Sequence, residues 1–229
     1  MEEPRPGIPP KAPLIREVRR GRKANGYEPV VLVTGRGEIA YRYYPVSGAY
    51  IGAIWVGGIG GDWDTPAKNL YPKLCEQLIN NGIASLRVRF RYPTILDEAV
   101  YDVMAGIVFL EMEGIAKVAL IGHSFGGAVV IQAAARSNAV KTVVTLSTQS
   151  HGADIVSGLS PNCPILFIHG EEDEVVPPGS SSAVYGMAHE FKKLIILEGN
   201  GHSLNESADE VRELVYDWLA SKLEPPKSS

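Results

Sequence analysis

The sequence predicts an α/β fold: a mostly parallel central sheet, an antiparallel N-terminal hairpin, and helices on both faces. Three observations carry this. Strand-like apolar runs alternate with segments of helical period from about residue 49 to the end of the last helix. The run "AYIGAIWV" (Ala49 to Val56) is apolar almost throughout, as a strand covered on both faces must be. In "PVVLVTGRGEIAYRYYPV", two β-rich runs flank Gly35-Arg36-Gly37, which suggests a hairpin.

The remaining elements follow in order. Residues 66 to 80 place Leu70, Leu74, Gln77 and Leu78 near helical spacing, and Asn80-Asn81-Gly82 closes the helix. The strand "IASLRVRF" comes next. Beyond Pro93, Thr94 is placed to cap a helix carrying Val100, Val103, Met104 and Ile107 on one face. "KVALIG" (Lys117 to Gly122) reads as a strand, followed by a helix from about Ser124 to Arg136 and the strand "VKTVVTLS" (Val140 to Ser147). An irregular piece leads to "PILFIHG" (Pro164 to Gly170), a helix near residues 179 to 188, and the strand "KKLIILE". The last helix aligns Val211, Leu214, Val215, Trp218 and Leu219 on one stripe.

A chain of 229 residues suits one such domain. We expect it over residues 14–223, between a proline-rich leader (1–13) and a short tail (224–229), since prolines cannot donate backbone hydrogen bonds. The net charge of −4 leaves no basic surplus to displace counterions, which argues against nucleic acid as a partner. The basic stretch Arg16 to Lys23 reads as a solvated edge, and "RVRFR" (Arg87 to Arg91) as a strand whose last residues are exposed. Cys75 and Cys163 are far apart and in no metal-ligand spacing, which fits two reduced core thiols. The first residues hold no apolar signal region, and no run approaches the roughly 18 apolar residues that span a bilayer. The expectation is a cytoplasmic protein with no membrane partner and no metal; nothing in the sequence sets its oligomeric state.

The chemistry begins at "IGHSFGG" (Ile121 to Gly127). Ser124 follows a strand and opens a helix, with Gly122 and Gly126 two residues to either side. This suits a nucleophile on a sharp turn, where glycines relieve the crowding and the N–H of Phe125 faces an attacked carbonyl. It also suits a serine that merely caps a helix. In "FIHGEEDEVVP", Asp173 lies just beyond a strand, among Glu171, Glu172 and Glu174, where a solvated acidic loop is the other reading. In "EGNGHSL", His202, one of five histidines, falls just after the final strand, where it is either a base or a surface residue. The order Ser124, Asp173, His202, each at a strand end, is that of a nucleophile, acid and base on this architecture.

These motifs resemble those of the α/β-hydrolase superfamily, and most closely its small, lidless dienelactone-hydrolase-like esterases, over about residues 29 to 222. "WVGGIGG" (Trp55 to Gly61) resembles the glycine-rich loop that supplies a second oxyanion N–H. That alignment implies Ile59 as the donor, with Gly57 and Gly58 letting the backbone approach substrate. The chain departs from the pattern at Gly57, where many relatives carry histidine, which leaves neighbouring loop residues as alternative donors. "RFRYPT" replaces a small glycine-rich loop, so Tyr92 and Pro93 are placed to shape the pocket. Dienelactone hydrolases proper use a cysteine nucleophile; the serine here argues against dienelactone itself.

The resemblance implies a serine esterase acting on a small-molecule ester without a cofactor. His202 takes the Ser124 proton, Asp173 orients the imidazole, and the N–H groups of Phe125 and Ile59 bind the oxyanion. "TQSHGADIVSGLSPNC" (Thr148 to Cys163) is too short for a cap domain, and Gln149 and His151 are candidate pocket residues beside Gly58 and Tyr92. His123, Glu172 and Cys163 read as scaffold. Thioester or small-peptide hydrolysis on the same triad is the alternative chemistry, and a non-catalytic ligand-binding protein of this fold is the alternative class.

Overall fold

Nine strands and five α-helices alternate over residues 13–223, the part of the chain that the computed structural model describes. The expected leader and tail lie, Pro13 apart, outside the described residues. The strands are β1 (Ile15–Arg20), β2 (Glu28–Thr34), β3 (Gly37–Tyr44), β4 (Ile51–Val56), β5 (Ile83–Arg89), β6 (Lys117–His123), β7 (Val140–Leu146), β8 (Ile165–Gly170) and β9 (Lys192–Leu197). They form one sheet in the order β1-β2-β3-β5-β4-β6-β7-β8-β9. The pairs β1/β2, β2/β3 and β3/β5 are antiparallel, and every later pair is parallel. This is the α/β-hydrolase fold. The hairpin closes with Thr34 opposite Gly37, so Gly35 and Arg36 form a two-residue turn, and the Thr34 hydroxyl accepts the Arg36 N–H at 3.1 Å.

The helices are α1 (Pro66–Ile79), α2 (Leu96–Met112), α3 (Phe125–Ala134), α4 (Gly179–Met187) and α5 (Ala208–Lys222). Strand alternation sorts the apolar residues into two cores. Ile51, Ala53 and Trp55 of β4 pack with Leu70, Leu74 and Leu78 of α1 and Val211, Val215 and Leu219 of α5. Ile54 and Val56 face the other way, toward Val103 and Ile107 of α2, Val129 of α3 and Val184 of α4. Burial of each such side chain contributes about 1.5–3 kcal/mol, so both faces of the central strands are energetically committed. Between β7 and β8 there is only a 3-10 turn (Asp154–Gly158) as regular structure, and no cap domain stands among the described residues.

Two local expectations are corrected, and the solvated edge expected from Arg16 gains a strand. The stretch from Arg16 holds a strand: β1 is the sheet's charged edge, with Arg19 bound to Glu17 at 3.0 Å and Glu38 at 2.7 Å, and Arg20 to Glu28 at 3.2 Å. Charges along an edge discourage pairing with another chain. Thr94 is not the cap of α2; Ile95 holds that position, and Asp97 and Glu98 favour the positive end of the helix instead. Arg89 is exposed as expected, but Arg91 turns inward. Its Nε donates to Asp102 Oδ1 at 2.6 Å, its backbone N–H to Asp102 Oδ2 at 2.9 Å, and its Nη2 to Glu98 at 2.6 Å. Burial pushes the Asp102 carboxyl up to about 6 against the pull of Arg91. The network ties the loop carrying Tyr92 to α2.

The parallel strands end along one edge, and their following loops converge there: 57–65 after β4, Ser124 after β6, Asp173 after β8 and His202 after β9.

Candidate active site

Ser124 occupies the turn between β6 and α3 with φ 55° and ψ −119°, a conformation that a non-glycine residue holds only where its surroundings enforce it. They do so closely. A Cβ on Gly122 would lie 2.2 Å from the Gly126 carbonyl oxygen, and one on Gly126 would lie 2.3 Å from that of Gly57. Only glycine fits either place. The Ser124 N–H donates to Leu146 O at 2.8 Å, anchoring the turn to the neighbouring strand. The hydroxyl makes no capping bond to α3; Oγ lies 3.0 Å from His202 Nε2 instead.

His202 Nδ1 lies 2.7 Å from Asp173 Oδ2. In the acid loop Asp173 alone is buried, while Glu171, Glu172 and Glu174 face solvent. Its other oxygen, Oδ1, accepts the N–H groups of Val175 at 2.9 Å and Val176 at 2.8 Å. Burial opposes the negative charge, but the donors at Val176, His202 and Val175 outweigh it and hold the carboxyl below the usual carboxylate range.

The histidine loop is pinned by three hydrogen bonds from two elements. His123 Nε2–H donates to His202 O at 3.0 Å, and the two rings lie 4.8 Å apart. The Ala67 N–H donates to Ser203 O at 2.7 Å and the Lys68 N–H to Asn205 Oδ1 at 3.0 Å. Both donors belong to a left-handed turn over Ala67, Lys68 and Asn69, with φ of 48°, 48° and 68°. Strain of about 1–3 kcal/mol per residue is spent there to hold the loop.

The loop after β4 is organised by Asp64, which the sequence did not single out. Its Oδ2 accepts the Gly58 N–H at 3.1 Å and its Oδ1 the Thr65 N–H at 2.9 Å. Arg87 Nη2 donates to Trp63 O at 2.6 Å. The Gly58 N–H is therefore committed, whereas the Ile59 N–H has no acceptor among the described residues. Gly58 lies against Ser124: a Cβ built there would be 3.4 Å from the serine's Cβ. Phe125 is the first residue of α3, so its N–H has no partner within the helix.

The other candidates stand further out. Tyr92 is 50 % exposed and the Ile59 side chain 60 %. Gln149 Nε2 donates to the carbonyl of the exposed His151 at 2.8 Å, while the Gln149 N–H approaches Ser124 O at 3.4 Å. Two buried histidines brace the triad residues: His123, expected as scaffold, and His169, which the sequence did not single out. His123 holds the His202 carbonyl, and His169, at the end of β8, lies 3.0 Å from Asp173 Oδ2. Cys163 is buried with its thiol pushed up to about 11 by that burial, too high for a thiolate near neutrality. Among the described residues no cluster suits a metal ion, and no helix is long and apolar enough to cross a membrane.

Comparison with known proteins agrees with the fold. The model of the Dienelactone hydrolase family matches residues 81–223. The uncharacterized protein YfhR of Escherichia coli (strain K12) is 27 % identical over 134 residues, which are 48 % of this chain and 47 % of that protein. The chain thus matches about half the length of that curated relative. Among solved structures, Est1E from Butyrivibrio proteoclasticus superimposes with a TM-score of 0.68 at 18 % identity, covering 81 % of this chain and 94 % of its own. The esterase domain of a Rhodothermus marinus protein gives 0.67 at 19 % identity, covering 85 % and 98 %.

Proposed function

This chain belongs to the dienelactone hydrolase family, and from that premise we propose that it is a serine hydrolase of small carboxylic esters. The observation that carries the reading is the chain of contacts from Ser124 Oγ to His202 Nε2 at 3.0 Å and from His202 Nδ1 to Asp173 Oδ2 at 2.7 Å. A serine hydroxyl is a poor nucleophile until a base takes its proton during attack. With its Nδ1–H given to Asp173, the neutral imidazole presents a lone pair at Nε2 to Ser124. Attack on the ester carbon passes the proton to His202, whose positive charge Asp173 stabilises. The proton then moves to the leaving alkoxide, releasing the alcohol, and water attacks the acyl-enzyme by the same route in reverse.

The oxyanion falls to the N–H groups of Phe125 and Ile59. That of Phe125 stands at the positive end of α3. In the loop after β4 the Gly58 N–H is held by Asp64, which leaves the next donor along the chain, that of Ile59, without an acceptor among the described residues. Without a cap, a long acyl chain would stay partly wet and gain less than the roughly 0.8 kcal/mol per methylene of full burial. Short acyl groups are favoured. Two buried, unpaired cysteines suit a reducing compartment, and we place the protein in the cytoplasm.

A fluorophosphonate probe tests the proposal directly: it should label Ser124 in the folded protein, and p-nitrophenyl esters should be hydrolysed fastest at short chain length. Folded protein that neither takes the label nor cleaves any ester of the series would favour a binding protein instead.

Two further outcomes are expected. Ile59→Ala should keep kcat within about tenfold, whereas Ile59→Pro, which removes the N–H itself, should lower it by about 10²–10³. The comparison uses variants with native circular dichroism and melting temperature. A folded, fully active Ile59→Pro enzyme would move the donor to Gly60. The pH profile is the second. His123 is pushed down to about 4, chiefly by burial, and Asp173 sits below the carboxylate range, so neither titrates near neutrality. With acylation rate-limiting, kcat/KM should therefore rise through a single ionisation, that of His202 as it becomes neutral. A flat profile between about pH 5 and 9 would contradict histidine-based activation.

A further inference from the structure

Behind the candidate acid lies a second histidine. His169, the next-to-last residue of β8, is fully buried, and so is Ser181 of α4. The His169 Nδ1 lies 2.6 Å from Ser181 Oγ. Its Nε2 lies 2.8 Å from Val176 O and 3.0 Å from Asp173 Oδ2. Five groups thus form one continuous chain: Ser181, His169, Asp173, His202 and Ser124.

The proton positions follow from the partners. Nε2 faces a carbonyl oxygen and a carboxylate oxygen, both pure acceptors, so it must carry hydrogen. Nδ1 is then the acceptor, and the Ser181 hydroxyl donates to it. The reverse tautomer would set a nitrogen lone pair against two oxygens. A second proton on the ring is opposed by burial, which holds His169 below the ordinary histidine range. Asp173 has about four acceptor positions, and all are faced by donors: Val175 and Val176 on Oδ1, His202 and His169 on Oδ2.

We propose that His169 is a positioning residue for the reaction: a neutral, fixed-tautomer donor that shares Asp173 Oδ2 with His202 and limits how strongly the carboxylate holds the imidazolium. Too strong a hold would keep His202 protonated and unable to accept the serine proton. Hydrogen bonds to a carboxylate spread its charge, and removing one leaves more of it for the remaining partner. The role rests on the proposed esterase reading, in which Asp173 and His202 act on Ser124. The other ionisable groups facing His202 are His123 of β6, with Asp64 3.9 Å from that ring's Nδ1, and Glu206 of its own loop, which accepts the Gly201 N–H at 3.3 Å. None of them touches Asp173 Oδ2, so all stay constant across the variants below.

The test compares His169→Phe, His169→Gln and Ser181→Ala in the full chain by the pH dependence of p-nitrophenyl acetate hydrolysis. His169→Phe should move the midpoint of the rising limb of kcat/KM upward by about half to one pH unit. His169→Gln, whose amide nitrogen reaches the place of Nε2, should return it toward wild type. Ser181→Ala removes an equally buried contact but keeps the Nε2–H, and should leave the midpoint unmoved. A midpoint that falls or stays put in His169→Phe overturns the proposal, because a loosened acid loop weakens the hold on His202 and loss of packing alone moves nothing.

A measurement without variants guards against misfolding. Nitrogen-15 spectra of the wild-type histidine rings, assigned through correlations to the backbone, should show two rings neutral and Nε2-protonated from about pH 5 to 9, those of His123 and His169. A charged or Nδ1-protonated His169 overturns the proposal even if no variant folds. The two readings fail separately. Absent fluorophosphonate labelling and ester hydrolysis in wild type would sink the esterase, whereas an active wild type with an unmoved or lowered midpoint sinks only the role of His169.

Discussion

Ser124→Ala is expected to abolish ester hydrolysis, lowering kcat by about 10⁶ as loss of the nucleophile does in a comparable triad, while the fold persists. The argument for an intact fold is local. The strained turn is held through the backbone, by the Ser124 N–H on Leu146 O at 2.8 Å and the Gly127 N–H on Ser124 O at 3.0 Å. Alanine keeps both. The hydroxyl caps nothing, so its removal costs only the contact with His202 Nε2, on a ring that is 17 % exposed and open to a replacement water. Circular dichroism and thermal melting should match wild type, and fluorophosphonate labelling should vanish. Purified variant that retains more than a few per cent of wild-type turnover, far above the expected loss, would remove Ser124 from the role.

Which parts of this architecture the sequence discloses depends on where the information is local. Parallel strands advertise themselves because both faces are covered: "AYIGAIWV" and "KVALIG" are apolar runs, and they became β4 and β6. Ser124, Asp173 and His202 stood out because each follows such a run, and the fold gathers the three within hydrogen-bond reach. Edge strand β1 was hidden because four of its six residues are charged; pairing with β2 and ion pairs to Glu38 and Glu28 hold it, not its own pattern. Arg91 looked like a surface cation because its partner, Asp102, lies one helix away. In the left-handed turn at Ala67 to Asn69 only Asn69 is of a type that favours that conformation; Ala67 and Lys68 carry no turn signal and are held by contacts with the distant loop of His202. Asp64 and His169 escape notice for a different reason. Their partners are near in sequence, at Gly58 and Thr65 for Asp64 and at Asp173 and Val176 for His169, but no residue pattern announces a side chain that holds a loop's backbone or a neighbouring carboxylate.

Asp173→Asn is expected to lower kcat by about 10⁴ through a wrongly held imidazole, and Glu172→Gln to change little. Asparagine has two ways to sit in the acid's place. If its NH₂ faced Val175 and Val176, it would oppose two backbone donors that now lie 2.9 and 2.8 Å from Oδ1. The opposite orientation keeps those bonds and turns the NH₂ toward His202 and His169. His169 can then still donate to Val176 O, so this second arrangement costs less. His202 must respond by presenting a lone pair at Nδ1, which moves its proton to Nε2. There it faces Ser124 Oγ, where a base needs a lone pair. The variant should therefore fold, still align serine and imidazole, and fail in proton transfer. Glu172 faces solvent and contributes its backbone N–H to Asn200 O at 2.9 Å, a bond that glutamine retains. Steady-state kinetics of the two purified variants decide the matter: an inactive Glu172→Gln beside an active Asp173→Asn would assign the acid to the neighbouring carboxylate and remove Asp173 from the proposed triad.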